Sequence, residues 1–114
     1  MKKDKYNNIE ITRGDTEFID VSLIDNKGNF IPFEIGDIVY MTVKEDILQT
    51  EFKFQKIVKD FDEGVAHILI SPHDTKSLDF KDYIYDVQVT DKNGIISTIV
   101  KPAIFRIGGE VTLE

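Results

Sequence analysis

Two histidines, one acidic pentad and one pair of tyrosines are the groups in this chain whose type and spacing could do chemistry. A catalytic histidine needs a nucleophile at one ring nitrogen and an orienting carboxylate at the other. His67 lies between Ala66 and Ile68 in an alternating run, so a strand there turns its ring to the face opposite those two. A sheet-face histidine is the simpler reading of it. His73 abuts Asp74, but sequence neighbours rarely meet as a base and its orienter, and no Ser-His-Asp order is apparent. Asp60-Phe61-Asp62-Glu63-Gly64 clusters the hard oxygen ligands that calcium prefers. The calcium loop is not completed, because a strand pattern resumes at Val65 and no glutamate closes it. An acidic hairpin turn is the expectation. Gly108-Gly109 has no following helix to cradle a phosphate. Tyr83 and Tyr85 share one strand face and read as core rather than as a ligand platform. No catalytic, cofactor-binding or metal-ligating residue is assigned, and the chain is expected to be non-enzymatic.

The composition narrows the partners. The chain has 114 residues, enough for one domain and too few for two ordinary ones. Lys and Arg number 14 against 21 Asp and Glu, a net charge of −7. That balance argues against a broad basic face for nucleic acid and against docking on anionic lipid. With no cysteine there are no disulfides, thiolate metal sites or cysteine nucleophiles. The absence of tryptophan lowers the expectation of a module that stacks sugars. No apolar core follows the basic start at Met1-Lys2-Lys3, so it does not read as a signal peptide, and the apolar stretches are far too short for a membrane span. Leu113-Glu114 reads either as a cloning scar, which would leave room for a longer natural chain past residue 112, or as a natural C-terminus.

The elements that must carry these residues follow a period of two. Alternation runs through Ile9 and Ile11; Ile19, Val21 and Leu23; Val39, Met41 and Val43; Phe52 and Phe54; Ala66, Ile68 and Ile70; and Tyr83, Tyr85, Val87 and Val89. Ile95 to Ile107 is long enough for one bent strand or two short ones, with Pro102 as the break. Asp25-Asn26-Lys27-Gly28 and Asp91-Lys92-Asn93-Gly94 supply turn residues that tolerate positive φ. Ser71 before Pro72 marks the start of one short helix or 3₁₀ turn ending by Leu78. The pattern predicts an all-β fold, an antiparallel two-sheet immunoglobulin-like β-sandwich of about seven or eight strands with one short helical turn. Residues 1–7 are expected as a flexible N-terminal segment and 8–112 as the sandwich. Val21, Val43, Ile68, Tyr85 and Val87 are expected in its core. Glu51-Phe52-Lys53-Phe54-Gln55-Lys56 reads as a charge-protected edge strand. Ile95-Ile96-Ser97-Thr98-Ile99-Val100 carries no charge and reads as partner-covered or centrally paired.

Several strings recur in a familiar order. Gly14-Asp15-Thr16 leads into the strand ending at Leu23, and Ser71-Pro72-His73-Asp74-Thr75 forms the helical turn. Tyr83-Ile84-Tyr85-Asp86 then precedes the Asp91-Lys92-Asn93-Gly94 hairpin. This order resembles the N-terminal domain of phage baseplate upper proteins and related tail-structural proteins of Gram-positive phages and prophages, over about nine-tenths of the chain. The resemblance implies a structural, non-enzymatic assembly or attachment module of a phage or prophage tail. It implies other tail or baseplate proteins as partners, homo-oligomer formation among the options, and no nucleic acid, membrane or cofactor. It places the protein in the virion tail, or in the host bacterial cytoplasm during assembly. The alternative from a different class is a carbohydrate- or calcium-binding β-sandwich module of a bacterial surface protein.

Overall fold

The computed structural model describes residues 1–111; Thr112, at the expected domain boundary, and the Leu113-Glu114 pair lie outside the described residues. In chain order the elements are β1 (Lys2–Lys3), β2 (Ile9–Thr12), β3 (Glu17–Val21), β4 (Leu23–Ile24), β5 (Phe30–Ile31), β6 (Ile38–Lys44), β7 (Phe54–Val58), β8 (Ala66–Ile70), α1 (Pro72–Thr75), β9 (Asp82–Thr90) and β10 (Ile96–Gly108). The fold is an all-β sandwich. One layer is a six-stranded sheet in the order β1-β2-β10-β9-β6-β7, and the other is the β3–β8 pair, with β4–β5 as a small separate ribbon.

Alternation accounts for the layers. In β6 and β9 every second residue is buried, which directs Val39, Met41, Val43, Tyr83, Tyr85, Val87 and Val89 inward. Ile19 and Val21 of β3 and Ala66, Ile68 and Ile70 of β8 meet them from the second layer. All five residues expected in the core are buried. Phe105 is at the centre, its ring edge-on to Phe54 at 5.8 Å and to Tyr85 at 6.0 Å.

The structure adds to the expected arrangement in three places. First, the ladders are antiparallel except one: β2 runs parallel to β10, with Ile9 opposite Phe105 and Thr12 opposite Gly108. Periodicity does not encode pairing direction, and a parallel pair requires the chain to cross between layers. Second, residues 1–7, expected as a flexible lead-in, fold back so that Lys2 and Lys3 pair with β2. Third, the Ile95 to Ile107 region is one strand, and Pro102 is absorbed by register shifts between Thr98 and Val100 and between Val100 and Ala103. A bulge tolerates a residue without an N–H.

Three hairpins are closed by the same device. The Oδ1 of Asp25 accepts the N–H groups of Lys27 and Asn29, and that of Asp91 accepts those of Asn93 and Ile95. Asp4 does the same for Tyr6 and Asn8. The fourth residue of each turn has a left-handed backbone: Gly28 at φ 82°, Gly94 at φ 81° and Asn7 at φ 67°. Asparagine tolerates that region better than most residues, so the Asp4 turn works without glycine. Accepted hydrogen bonds favour the ionised carboxylate and hold Asp4 and Asp25 below the usual range.

Ile68 is 1% exposed and opposes Ile19 across the smaller layer. Ile68→Ala is expected to lower unfolding free energy by roughly 2–5 kcal/mol in a denaturant titration. A loss within about 0.5 kcal/mol would place Ile68 at the surface and the layers in the wrong register.

Candidate functional site

The residues singled out in the sequence are spread over separate parts of the fold. On the outer face of the smaller layer, His67 and Asp20 are a cross-strand pair, and His67 Nδ1 is 2.5 Å from Asp20 Oδ1. The Asp62 carboxylate lies 3.7 Å from the other ring nitrogen. The hydrogen bond to Asp20 raises the His67 pKa above its ordinary 6.5, desolvation opposes this, and the charges of Asp20 and Asp62 add to it. Both ring nitrogens therefore face carboxylates, which fits a surface ion pair; a general base would need one nitrogen aimed at a nucleophile. His73 stands exposed on α1. Its neighbour Asp74 is engaged elsewhere, accepting from the Ser71 N–H at 2.8 Å and hydroxyl at 3.0 Å and from Lys56 Nζ at 2.6 Å.

The acidic pentad is a hairpin turn. Asp62 and Val65 exchange backbone hydrogen bonds, and the central residues Glu63 and Gly64 adopt φ 52° and 76°. Left-handed conformation at both central positions is the two-residue turn that suits strand twist. A Cβ on Gly64 would collide with the Pro32 ring, so this turn is also where the β5 end closes down on the sandwich. Among the described residues, no three of His, Cys, Asp and Glu converge closely enough to hold a metal ion. Tyr83 and Tyr85 are buried, as expected of core residues. The Tyr83 hydroxyl accepts the Asp79 N–H at 2.9 Å. The Tyr85 hydroxyl donates to the Asn7 carbonyl at 2.5 Å, and burial pushes its pKa up to about 12.

The most densely bonded cluster lies at the Gly-Asp-Thr corner. Gly14 turns the chain from β2 in the large sheet to β3 in the small one with φ 87°. Its N–H donates to Thr75 Oγ1 at 2.8 Å, and Thr75 is 0% exposed. Beside them Glu110, 8% exposed, accepts from Arg13 Nε at 3.2 Å and from Lys76 Nζ at 2.8 Å. Those two cations hold its carboxyl below the usual range, Lys76 contributing more. Arg13 also donates to the Leu78 carbonyl and lies over the Phe80 ring, 4.1 Å from its centroid. Asp15 and Thr16 are exposed. The short oxygen that satisfies the Gly14 N–H comes from Thr75, which the sequence marks only as part of the helical turn. The Gly14 N–H, the Thr75 hydroxyl and the Glu110 carboxylate are each engaged within the corner, so it reads as scaffold.

A fourth feature had no sequence signal. On the outer face of the large sheet, Thr42, Lys44, Asp86 and Gln88 floor a concavity of about 300 Å³, overhung by Ile47 and Phe52 from the β6–β7 loop. Burial raises the Asp86 pKa, partly offset by the Lys44 charge. The residues come from two strands and a loop, so linear spacing does not reveal the grouping.

Comparison of the chain with protein-family models, with curated proteins and with solved structures found no match.

Gly14→Val puts a branched side chain at positive φ, with its Cβ 2.8 Å from Lys76 Cε. It is expected to cost at least about 1 kcal/mol of stability by denaturant titration. A neutral result would show that the corner does not need its glycine. The His67 ring, followed by NMR, is expected to titrate above 6.5 and to return toward that value in Asp20→Asn. Because the folded pKa lies above the unfolded one, the pair stabilises fully below about pH 6.5 and the benefit is lost as pH rises through the folded value. An unchanged titration in Asp20→Asn would show that the pairing is not maintained in solution.

Proposed function

We propose that this protein is a structural, non-enzymatic component of a phage or prophage tail, an assembly or attachment module of the baseplate that acts by binding other tail proteins. The observation that carries the reading is apolar surface on the outside of the smaller layer. Phe18 is 62% exposed and Leu69 46%, and they are a cross-strand pair on the outer face of β3–β8. The β4–β5 ribbon displays a second such pair, Ile24 and Phe30. Grouped exposed aromatic and aliphatic side chains are the surface that a protein partner covers. The motif order from Gly14 to Gly94 supports the same reading through its resemblance to baseplate upper proteins. So does the corner where two of those motifs meet, since Gly14 and Thr75 are bonded to each other and form a rigid frame. The setting is the virion tail, reached through the host cytoplasm during assembly.

One observation favours the alternative, a carbohydrate-binding module. The concavity over Thr42, Asp86 and Gln88 combines hydrogen-bonding side chains with the Phe52 ring, the mixture that sugars require.

The two readings separate in one experiment. The protein is mixed with phage tail and baseplate proteins and, separately, with a glycan array and with calcium. Complex formation with a tail protein is expected, and Phe18→Ser with Leu69→Ser is expected to weaken it by about tenfold or more while leaving Tm nearly unchanged, since both residues are exposed. Saturable sugar or calcium binding with no tail-protein complex would transfer the assignment to the alternative.

A further inference from the structure

The second uncovered surface is a backbone one. β10 pairs with β9 from Ile96 to Arg106, but β2 covers its other side only from Phe105 to Gly108. At Ile104 the Asn8 side chain takes the next N–H, at 2.9 Å, and the chain turns away through Asn7. From Ile96 to Ala103 the outer margin of β10 therefore has no partner strand among the described residues. Natural sheets guard such margins with charge. The opposite margin follows that rule: β7 carries Lys56, paired with Asp74, and Lys53 just before it pairs with Glu45. Lys101, Pro102 and the register shift between Val100 and Ala103 guard the far part of the β10 margin in the same way, but the Ile95–Val100 run carries no charged residue, and Ile96 is 66% exposed.

The bare margin borders a groove. Ile95 and Ser97 share a wall with Val89, and Leu23, Ile31 and Phe33 form the other side, enclosing about 320 Å³ between the β9–β10 hairpin and the β4–β5 ribbon. The rim is acidic. Glu34, Asp37 and Asp91 line it against a single cation, Lys92, which is already tied to Glu34 at 2.8 Å.

We propose that the β10 margin from Ile96 to Val100 takes up an extended segment of a partner protein as an added strand, with apolar residues at alternate positions entering the groove and a basic residue meeting the Glu34–Asp37–Asp91 rim. A strand added to β10 would gain main-chain hydrogen bonds along the margin, and its period of two would send every second side chain toward Val89, Leu23 and Phe33. Charge selects against a second copy of this chain as the occupant, because two molecules of net charge −7 would bring like rims together. The proposal rests on the assembly reading but names a different surface from the Phe18–Leu69 face.

The test uses the full chain and three synthetic peptides: alternating Val-Thr ending in two lysines, the same composition with Val and Thr scrambled, and the alternating peptide ending in two glutamates. Hydrogen exchange is read at each amide. The alternating lysine peptide is expected to slow exchange from Ile96 to Val100 by about tenfold or more, and the scrambled peptide to do little. The glutamate peptide is expected to bind about tenfold more weakly, as is the lysine peptide to Glu34→Lys. Ser97→Lys places a charge on an exposed residue of the margin and is expected to abolish the protection; if its Tm falls, Thr98→Lys, also exposed, serves in its place. No slowing by any peptide, or equal slowing by the lysine and glutamate peptides, overturns the proposal. Slowing of the same amides with rising protein concentration alone also overturns it, by making a second copy the occupant. A tail-protein complex that protects Phe18 and Leu69 but not β10 leaves the assembly reading standing and this proposal refuted. Peptide protection of β10 with no tail-protein complex does the reverse.

Discussion

The hydrogen bond from Gly14 to the buried Thr75 hydroxyl fixes where the chain changes layers. β2 belongs to the large sheet and β3 to the small one, and the turn between them must bring a backbone N–H into the interior. An unpartnered N–H there would cost about 1–3 kcal/mol. Thr75, delivered from α1 some 61 positions away, supplies the acceptor. The ion cluster beside it gathers the chain again, since Arg13 reaches Glu110 across 97 positions and Lys76 binds the same carboxylate. The layer change, the helical turn and the exit from β10 are thus one joint. The parallel β2–β10 ladder ends at this joint, with Thr12 opposite Gly108 just before Gly14.

What could be read in the sequence follows from where burial acts on one face. β6 and β9 alternate cleanly because one side of each is sealed, and Val39 to Val43 and Tyr83 to Val89 announce themselves by period. The strands β1, β4 and β5 are two residues long and have no period to detect, so the sequence marks the β4–β5 pair only by its Asp25–Gly28 turn. The Asp4 turn was hidden because Asn7 occupies the position where Gly28 and Gly94 mark its counterparts. Thr75 was legible as a turn residue but not as the acceptor for Gly14, because nothing local signals a partner so distant in sequence. The apolar pairs on the outer faces were hidden for a related reason. Phe18 and Leu69 each look like ordinary strand residues until pairing places them side by side.

The acidic excess has a structural use. Asp4, Asp25 and Asp91 close hairpins, Asp37 accepts the N–H groups of Glu34 and Lys92, and Asp74 caps α1. Carboxylates serve here because a charged acceptor strengthens bonds to backbone N–H groups that strand ladders leave over. Negative charge is consequently placed on the turns, and at Glu34, Asp37 and Asp91 it gathers on the rim of the groove beside β10.

The direction of the β2–β10 ladder also decides how the molecule carries tension. Ile9 lies opposite Phe105 and Thr12 opposite Gly108, so a pull entering at the start of β2 and leaving at the end of β10 slides the two strands past each other. In that geometry the ladder bonds and the Asn8 bond to Ile104 are loaded together. An antiparallel pair held at adjoining ends would open one bond at a time. The joint at Gly14 and Thr75 sits at the end of this ladder and anchors β2 against the slide.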